Sequence, residues 1–247
     1  MRPSPVFLAV LTLAVGGGVL AWRSEPLSLA GGIGVFVLVL AGWIVTVCLH
    51  EFGHAFTAFR AGDREVELRG YLTLNPLKYS HPLLSVVLPV VFVAIGGIGL
   101  PGGAVYIRTG MFEPRVQRHI ALAGPLANAA SAVVLLLVIR LFGMGNDHRA
   151  FWWGLSFLAF LQVMATILNL LPVPGLDGYA AIEPYLSYDN RRALANFKTY
   201  GILILVAFLF VPAINRVFFG AIYGIFGLSG VPEIFAQYGN YLMRFWD

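Results

Sequence analysis

The sequence is poor in charged residues and in cysteine. Only 11% of its 247 residues are Asp, Glu, Lys or Arg, whereas about 25% are charged in an ordinary soluble domain. Hydrophobic residues make up 59% of the chain and the mean hydropathy is +0.81, which excludes a soluble globular protein. The single cysteine, Cys48, excludes an intrachain disulfide framework and is interpreted as a small buried hydrophobe. The composition predicts a multi-pass integral membrane protein.

The basic residues do not form a concentrated patch. The net charge is +4, and the Lys and Arg residues are spread among loops, which predicts the lipid bilayer and no nucleic acid as a partner. Spans of about 20 residues each take up nearly the whole length. We therefore expect a single membrane-embedded domain over residues 1–247, with no separate soluble domain.

Apolar runs divide the chain into candidate spans. The clearest are residues 6–22, 29–60, 119–142 and 151–171, and two further helical runs are residues 200–211 and 217–228. An interruption that begins at Pro212 separates the last two runs. These runs predict an all-α polytopic membrane protein with about six transmembrane helices.

The charges of two loops indicate how the chain crosses the membrane. Residues 60–82 and 101–118 are both basic, and basic loops favour the cytoplasmic side. Both can lie there only if the run at about 83–100, which contains Pro89 and several glycines, enters and leaves by one face. We therefore predict a re-entrant element at 83–100, shielded by protein.

A motif with metal-binding spacing lies within the apolar run at 29–60. Residues 50–54 are His-Glu-Phe-Gly-His, the HExxH pattern. Because i and i+4 share a helix face, His50 and His54 can hold one zinc ion while Glu51 serves as general base. An ionisable side chain at the bilayer centre costs roughly 2.5–3.5 kcal/mol, which favours a functional role. Chance produces the pattern in roughly one such sequence in two hundred, so a third ligand is needed to support it.

Few residues qualify as the third ligand of a catalytic zinc site. The soluble HExxHxxGxxH class is excluded because its last two positions are occupied here by Thr57 and Arg60. Of the twelve acidic residues, only Glu51 and Asp177 lie within or directly beside apolar spans, which makes Asp177 the candidate. His119, at the start of a span, is the alternative ligand.

The residues before Asp177 favour irregular backbone at membrane depth. Pro172, Pro174 and Gly175 cannot continue a helix, and the backbone groups they free need a cavity or surrounding protein. This arrangement would bring a carboxylate to the same face as the motif helix. The alternative is an ordinary turn at the end of a span.

Three motifs follow one another in a set order. They are HExxH at residues 50–54, Gly-Pro-Leu-Ala-Asn at residues 124–128, and Asn169 with Pro172 and Asp177-Gly178. Their order and their placement on successive spans resemble the site-2 protease family of intramembrane zinc metalloproteases. The resemblance covers roughly residues 30–190, the expected catalytic core. It is to the minimal subgroup, which carries no PDZ or CBS domain.

The resemblance implies a site and a reaction. Zn2+ would be held by His50, His54 and Asp177, with a zinc-activated water and Glu51 as general base. Asn169 would be a second catalytic residue, near the substrate. The reaction would be hydrolysis of peptide bonds in or near transmembrane segments of membrane-protein substrates, with single-span segments as the expected partners. An excess of Arg over Lys indicates a bacterial genome, and the basic loops place the active site towards the cytoplasmic side of the cell membrane.

Two other functions are compatible with the motif residues. A membrane metal transporter would show inverted repeats and polar residues in both halves of the membrane, and neither pattern is visible. A proteolytically inactive membrane-protein binder would not need Glu51. Two local interpretations remain open. Residues 62–80 could offer an extended edge to a substrate strand or form a solvated interfacial loop. Gly124-Pro125 could kink its span and pack it closely, with Asn128 bonded to a neighbouring helix.

Overall fold

Helices account for the regular secondary structure throughout the described part of the chain. A computed structural model describes residues 2–79, 91, 106–145, 147–195, 197 and 211–246, and no strand occurs among them. Four helices are long and apolar enough to cross a membrane: α1 (Pro5–Arg23), α2 (Leu29–Ala61), α4 (Pro114–Phe142) and α5 (Arg149–Leu170). The shorter helices are α3 (Glu65–Leu68), α6 (Asp177–Ile182), α7 (Tyr188–Ala195), α8 (Pro212–Gly227) and α9 (Glu233–Met243).

The predicted fold class, an all-α membrane protein, is confirmed. Four of the expected six or so spans lie in the described residues, within a few residues of their predicted limits. The re-entrant element predicted at 83–100 lies outside the described residues except for residue 91. The run predicted at 200–211 lies outside them except for Val211.

Local signals explain where the membrane helices begin and end. The Ser4 and Ser28 hydroxyls accept hydrogen bonds from the backbone N–H groups of Phe7 and Gly31, which caps α1 and α2. Gly62 ends α2 in a left-handed conformation with a φ of 116°, which a glycine adopts without steric cost.

Two helices begin at a proline, several residues before the start predicted from the sequence. Pro114 begins α4 five residues before the predicted start at His119, and Pro212 begins α8 where an interruption was predicted over residues 212–216. Both predictions of the boundary are wrong for one reason. Proline suits the first position of a helix, because its fixed φ is helical and its missing N–H would have no partner there.

Helix α2 is the axis of the bundle. It packs against α1, α4 and α5, and α9 packs against both α5 and α2. Glycines allow the closest approaches: a Cβ on Gly34 would lie 2.5 Å from the backbone nitrogen of Ala21 in α1, and a Cβ on Gly42 would lie 2.6 Å from Cδ2 of Leu158 in α5. Small residues at helix contacts are typical of membrane bundles, where close packing replaces the hydrophobic effect.

The segment after α2 is helical and not extended. Residues 62–79 contain α3 and two 3₁₀ turns, Tyr71–Thr73 and Pro76–Lys78, and do not form the extended edge considered for a substrate strand. Val66, Tyr71 and Leu72 are buried in one cluster with the apolar face of the last turns of α2. Burying them requires tight turns against that helix, a tertiary contact that the sequence of this segment does not indicate.

Candidate metal centre

Three ligand atoms from two helices meet at one point. The Nε2 atoms of His50 and His54 are 3.1 Å apart, and Oδ2 of Asp177 lies 3.2 Å from the first and 3.4 Å from the second. Tetrahedral zinc with nitrogen and oxygen ligands at 2.0–2.1 Å separates those ligands by about 3.3 Å. The three side chains are therefore spaced as the ligands of one zinc-sized ion.

The orientation of the His54 ring is fixed by a backbone carbonyl. His54 Nδ1 lies 2.7 Å from the carbonyl oxygen of Ile120 in α4, so Nδ1 donates a hydrogen bond and Nε2 keeps its lone pair for a metal. This is the usual support for a ligating histidine. Nδ1 of His50 is buried and has no hydrogen-bond partner among the described residues.

Helix α4 leaves room for an ion because residue 124 is a glycine. A Cβ built on Gly124 would collide with Nε2 of His54 and would lie 2.6 Å from Nε2 of His50. Any side chain here would thus fill the space beside the ligand atoms. The structural interpretation of Gly124-Pro125 as a packing motif missed this role, although the glycine within a span was the available signal.

The irregular segment after α5 places Asp177 beside the imidazoles. Helix α5 stops at Leu170, residues 171–176 are irregular as predicted from their prolines, and Gly175 has a φ of 101°. Asp177 itself is the first residue of α6 and does not lie on irregular backbone. A Cβ on Gly178 would collide with the carbonyl of Leu170, so the chain folds back tightly on the end of α5.

The centre is closed towards the helices and more open beside Asp177. The exposed fractions of the His50 and His54 side chains are 10% and 9%, whereas that of Asp177 is 22%. Burial alone would raise the pKa of the Asp177 carboxyl, but His54 and His50 outweigh it and hold that pKa below its usual range. The ionised carboxylate is the form that binds metals.

The other predicted catalytic residues are also buried. Glu51 follows His50 on α2 and is 2% exposed, and Asn169 lies in the last turn of α5 and is 6% exposed. Asn128 is likewise buried, on α4. The structure does not bring His119, the alternative ligand, into the centre: it is exposed on α4. Within the described residues, His50, His54 and Asp177 form the group that could hold a metal.

Comparison with known proteins identifies relatives along the whole chain. The chain is 54% identical over 251 aligned residues to a Mycolicibacterium smegmatis protein named "Putative zinc metalloprotease Rip2", covering 100% of this chain and 95% of the relative. The Mycobacterium tuberculosis protein of the same name is 51% identical with the same coverage. A Bacillus subtilis protein named YwhC is 29% identical over 68% of this chain and 78% of its own. No protein-family model matches, and no solved structure matches with significant similarity.

Structure and relatives together define the class. A bundle of membrane-length helices around a His–His–Asp group is the architecture of a membrane metalloprotein. Relatives more than half identical over the whole chain make the assignment specific. The chain belongs to the site-2 protease family of intramembrane zinc metalloproteases, which confirms the resemblance seen in the order of its motifs.

Proposed function

We propose that this protein is an intramembrane zinc metalloprotease that hydrolyses peptide bonds in or near transmembrane segments of membrane-protein substrates. The observation that carries the proposal is the convergence of His50, His54 and Asp177 on one point beside Gly124, at zinc-ligand spacing. Helix α2 of the membrane bundle would supply the two imidazoles, and the short helix α6 that follows α5 would supply the carboxylate.

The chemistry follows from the residues around that point. A zinc ion bound there would lower the pKa of a coordinated water towards about 7 and polarise the scissile carbonyl. Glu51 accepts the proton of the attacking water and passes it to the leaving amine as the new C–O bond forms and the C–N bond breaks. The side-chain amide of Asn169 donates a hydrogen bond to the oxyanion.

The depth of the centre supports a bond near the end of a transmembrane segment. At 1.5 Å per residue, His50 lies about 32 Å along α2 from its first residue, and Asn169 lies about 30 Å along α5 from its own. Both lengths match the hydrocarbon thickness of about 30 Å. The site thus serves a peptide bond close to one boundary of the hydrocarbon layer.

The charge distribution supports a cytoplasmic orientation. Arg23, Arg140 and Arg149 lie at the helix ends remote from the centre. The end that carries the centre is more basic, with Arg60, Arg64, Arg69, Lys78, Arg108, Arg115 and Arg118 on its loops and helix ends. The positive-inside rule puts this end in the cytoplasm, and the bacterial relatives support the cell membrane as location.

The test is Glu51→Gln in purified protein, with a single-span reporter as substrate. We expect one zinc per chain to be retained and kcat to fall by about 10² to 10⁴, the contribution of a general acid–base residue. Glu25→Gln, at the exposed opposite end, is the matched control and should cleave normally. Cleavage by the Glu51 variant near the wild-type rate would contradict the mechanism. Zinc flux into proteoliposomes would instead support a transporter.

A further inference from the structure

Helices α2 and α5 run parallel and in register. Gly42 meets Leu158, and four residues further along each helix the side-chain amide of Gln162 donates a hydrogen bond of 2.8 Å to the Thr46 hydroxyl. The two residues of each pair are 116 positions apart in sequence, so the axial register between the two helices is the same at both contacts.

This hydrogen bond lies inside an otherwise apolar helix contact. Gln162 is 1% exposed and Thr46 is 7% exposed, and the Thr46 hydroxyl donates its own proton to the Trp43 carbonyl at 2.8 Å. Apolar contacts such as Leu158 on Gly42 tolerate small axial shifts by a change of side-chain rotamer. A hydrogen bond between two buried side chains is directional and does not.

The same two helix faces continue directly into the metal centre. One turn beyond Thr46 on α2 is His50, and two turns beyond Gln162 on α5 is Asn169, eight residues before Asp177. Continuing this register by seven residues would place Asn169 level with Gly53 along the helix axes. A slip of one residue would move α5 by about 1.5 Å, whereas a metal site tolerates only about 0.2 Å in its ligand distances.

We propose that Gln162 is a positioning residue: its bond to Thr46 sets the axial register in which α5 presents Asp177 and Asn169 to the imidazoles. The inference rests on the metal site of the proposed function but not on proteolysis. It assigns the buried amide a role in metal affinity that is separate from its role in stability.

The test removes both polar groups together. Thr46→Val alone leaves the buried Gln162 amide without its partner and should lower the thermal stability of the metal-free protein. The double variant Thr46→Val/Gln162→Met replaces both groups with apolar ones of similar size and should regain most of that stability. Its zinc affinity, measured by competition with a chelator, should nevertheless remain on the order of 10–100-fold weaker than wild type. Thr46→Ser keeps the hydroxyl and should restore both properties.

The outcomes separate positioning from structure. Zinc affinity that recovers together with stability in the double variant would overturn the proposal. If the double variant does not fold, wild-type zinc affinity in Thr46→Val would overturn it equally. A shift in zinc affinity without any cleavage by the wild type would support the register role and refute the proposed protease function. A wild type that binds no zinc would refute both.

Discussion

The two ends of the helix bundle use glycine in the same way and to opposite effect. At the end remote from the metal centre, Gly34 removes a side chain so that α2 can lie directly against the backbone of Ala21. At the other end, Gly124 removes a side chain so that α4 approaches the imidazoles of His50 and His54 without filling the space beside them. The first glycine brings helices together, and the second keeps a site open.

This difference separates stability from function along one helix. The remote half of α2 contacts its neighbours through apolar and small residues, whereas residues 50–61 carry two imidazoles and a buried carboxylic side chain. Substitutions at the remote end should therefore change the free energy of unfolding with little effect on metal affinity. Substitutions around the centre should change metal affinity more than they change the free energy of unfolding.

Gly124→Ala should have the largest effect on zinc binding. Its new methyl group would overlap the His54 ring nitrogen, so we expect zinc affinity to fall by at least about 100-fold. Gly16→Ala is the control, because a Cβ on Gly16 meets nothing within 4 Å. Chelator competition measures both. Wild-type affinity in the Gly124 variant would show that α4 does not border the ion.

Gly178→Ala should have the next largest effect. The added methyl group meets the carbonyl of Leu170 and lies 2.6 Å from that of Leu171, so α6 must move and take Asp177 with it. We expect zinc affinity about 10–100-fold below wild type, measured by the same competition. Unchanged affinity would mean that the carboxylate is positioned by something other than this turn.

Gly34→Ala should act on stability alone. Overpacking against backbone costs typically 1–3 kcal/mol, and α1 must shift to admit the methyl group. Thermal unfolding of the metal-free protein measures this loss, and zinc affinity of the folded fraction serves as the internal control. A fall in zinc affinity as large as that of Gly124→Ala would abolish the distinction between the two ends.

His148→Ala should have the smallest effect. The His148 ring stacks on Trp22 with 3.7 Å between centroids, and its Nδ1 lies 2.7 Å from the Trp22 carbonyl. Loss of such a stack costs about 0.5–1.5 kcal/mol, and the left-handed backbone at residue 148 gives alanine no compensating gain, because it disfavours any residue with a Cβ. Zinc content should stay at the wild-type level, and a lower content would connect the remote end to the centre.

Sequence reasoning singled out the three residues that meet at the candidate centre because each carries its own local signal. His50 and His54 share a helix face by spacing, and Asp177 stands out as a carboxylate beside an apolar span. The four long spans follow from composition, since a bilayer demands long apolar runs. These features depend on one segment at a time.

Features that depend on two segments were not predictable. The role of Gly124 depends on which helix faces the imidazoles, and the pairing of Thr46 with Gln162 depends on the register of α2 and α5. The turns around Tyr71 depend on burial against α2, a tertiary contact that residues 62–80 alone do not indicate. In each case the deciding contact joins residues far apart in the chain.

The most direct test is the coordination of zinc in the purified protein, measured by X-ray absorption on wild type and on Asp177→Ala. The account predicts one zinc per chain with two imidazole nitrogens and one carboxylate oxygen at about 2.0–2.1 Å, and loss of the carboxylate oxygen in the variant. Zinc bound identically in both proteins, or bound through the sulfur of Cys48, would contradict it.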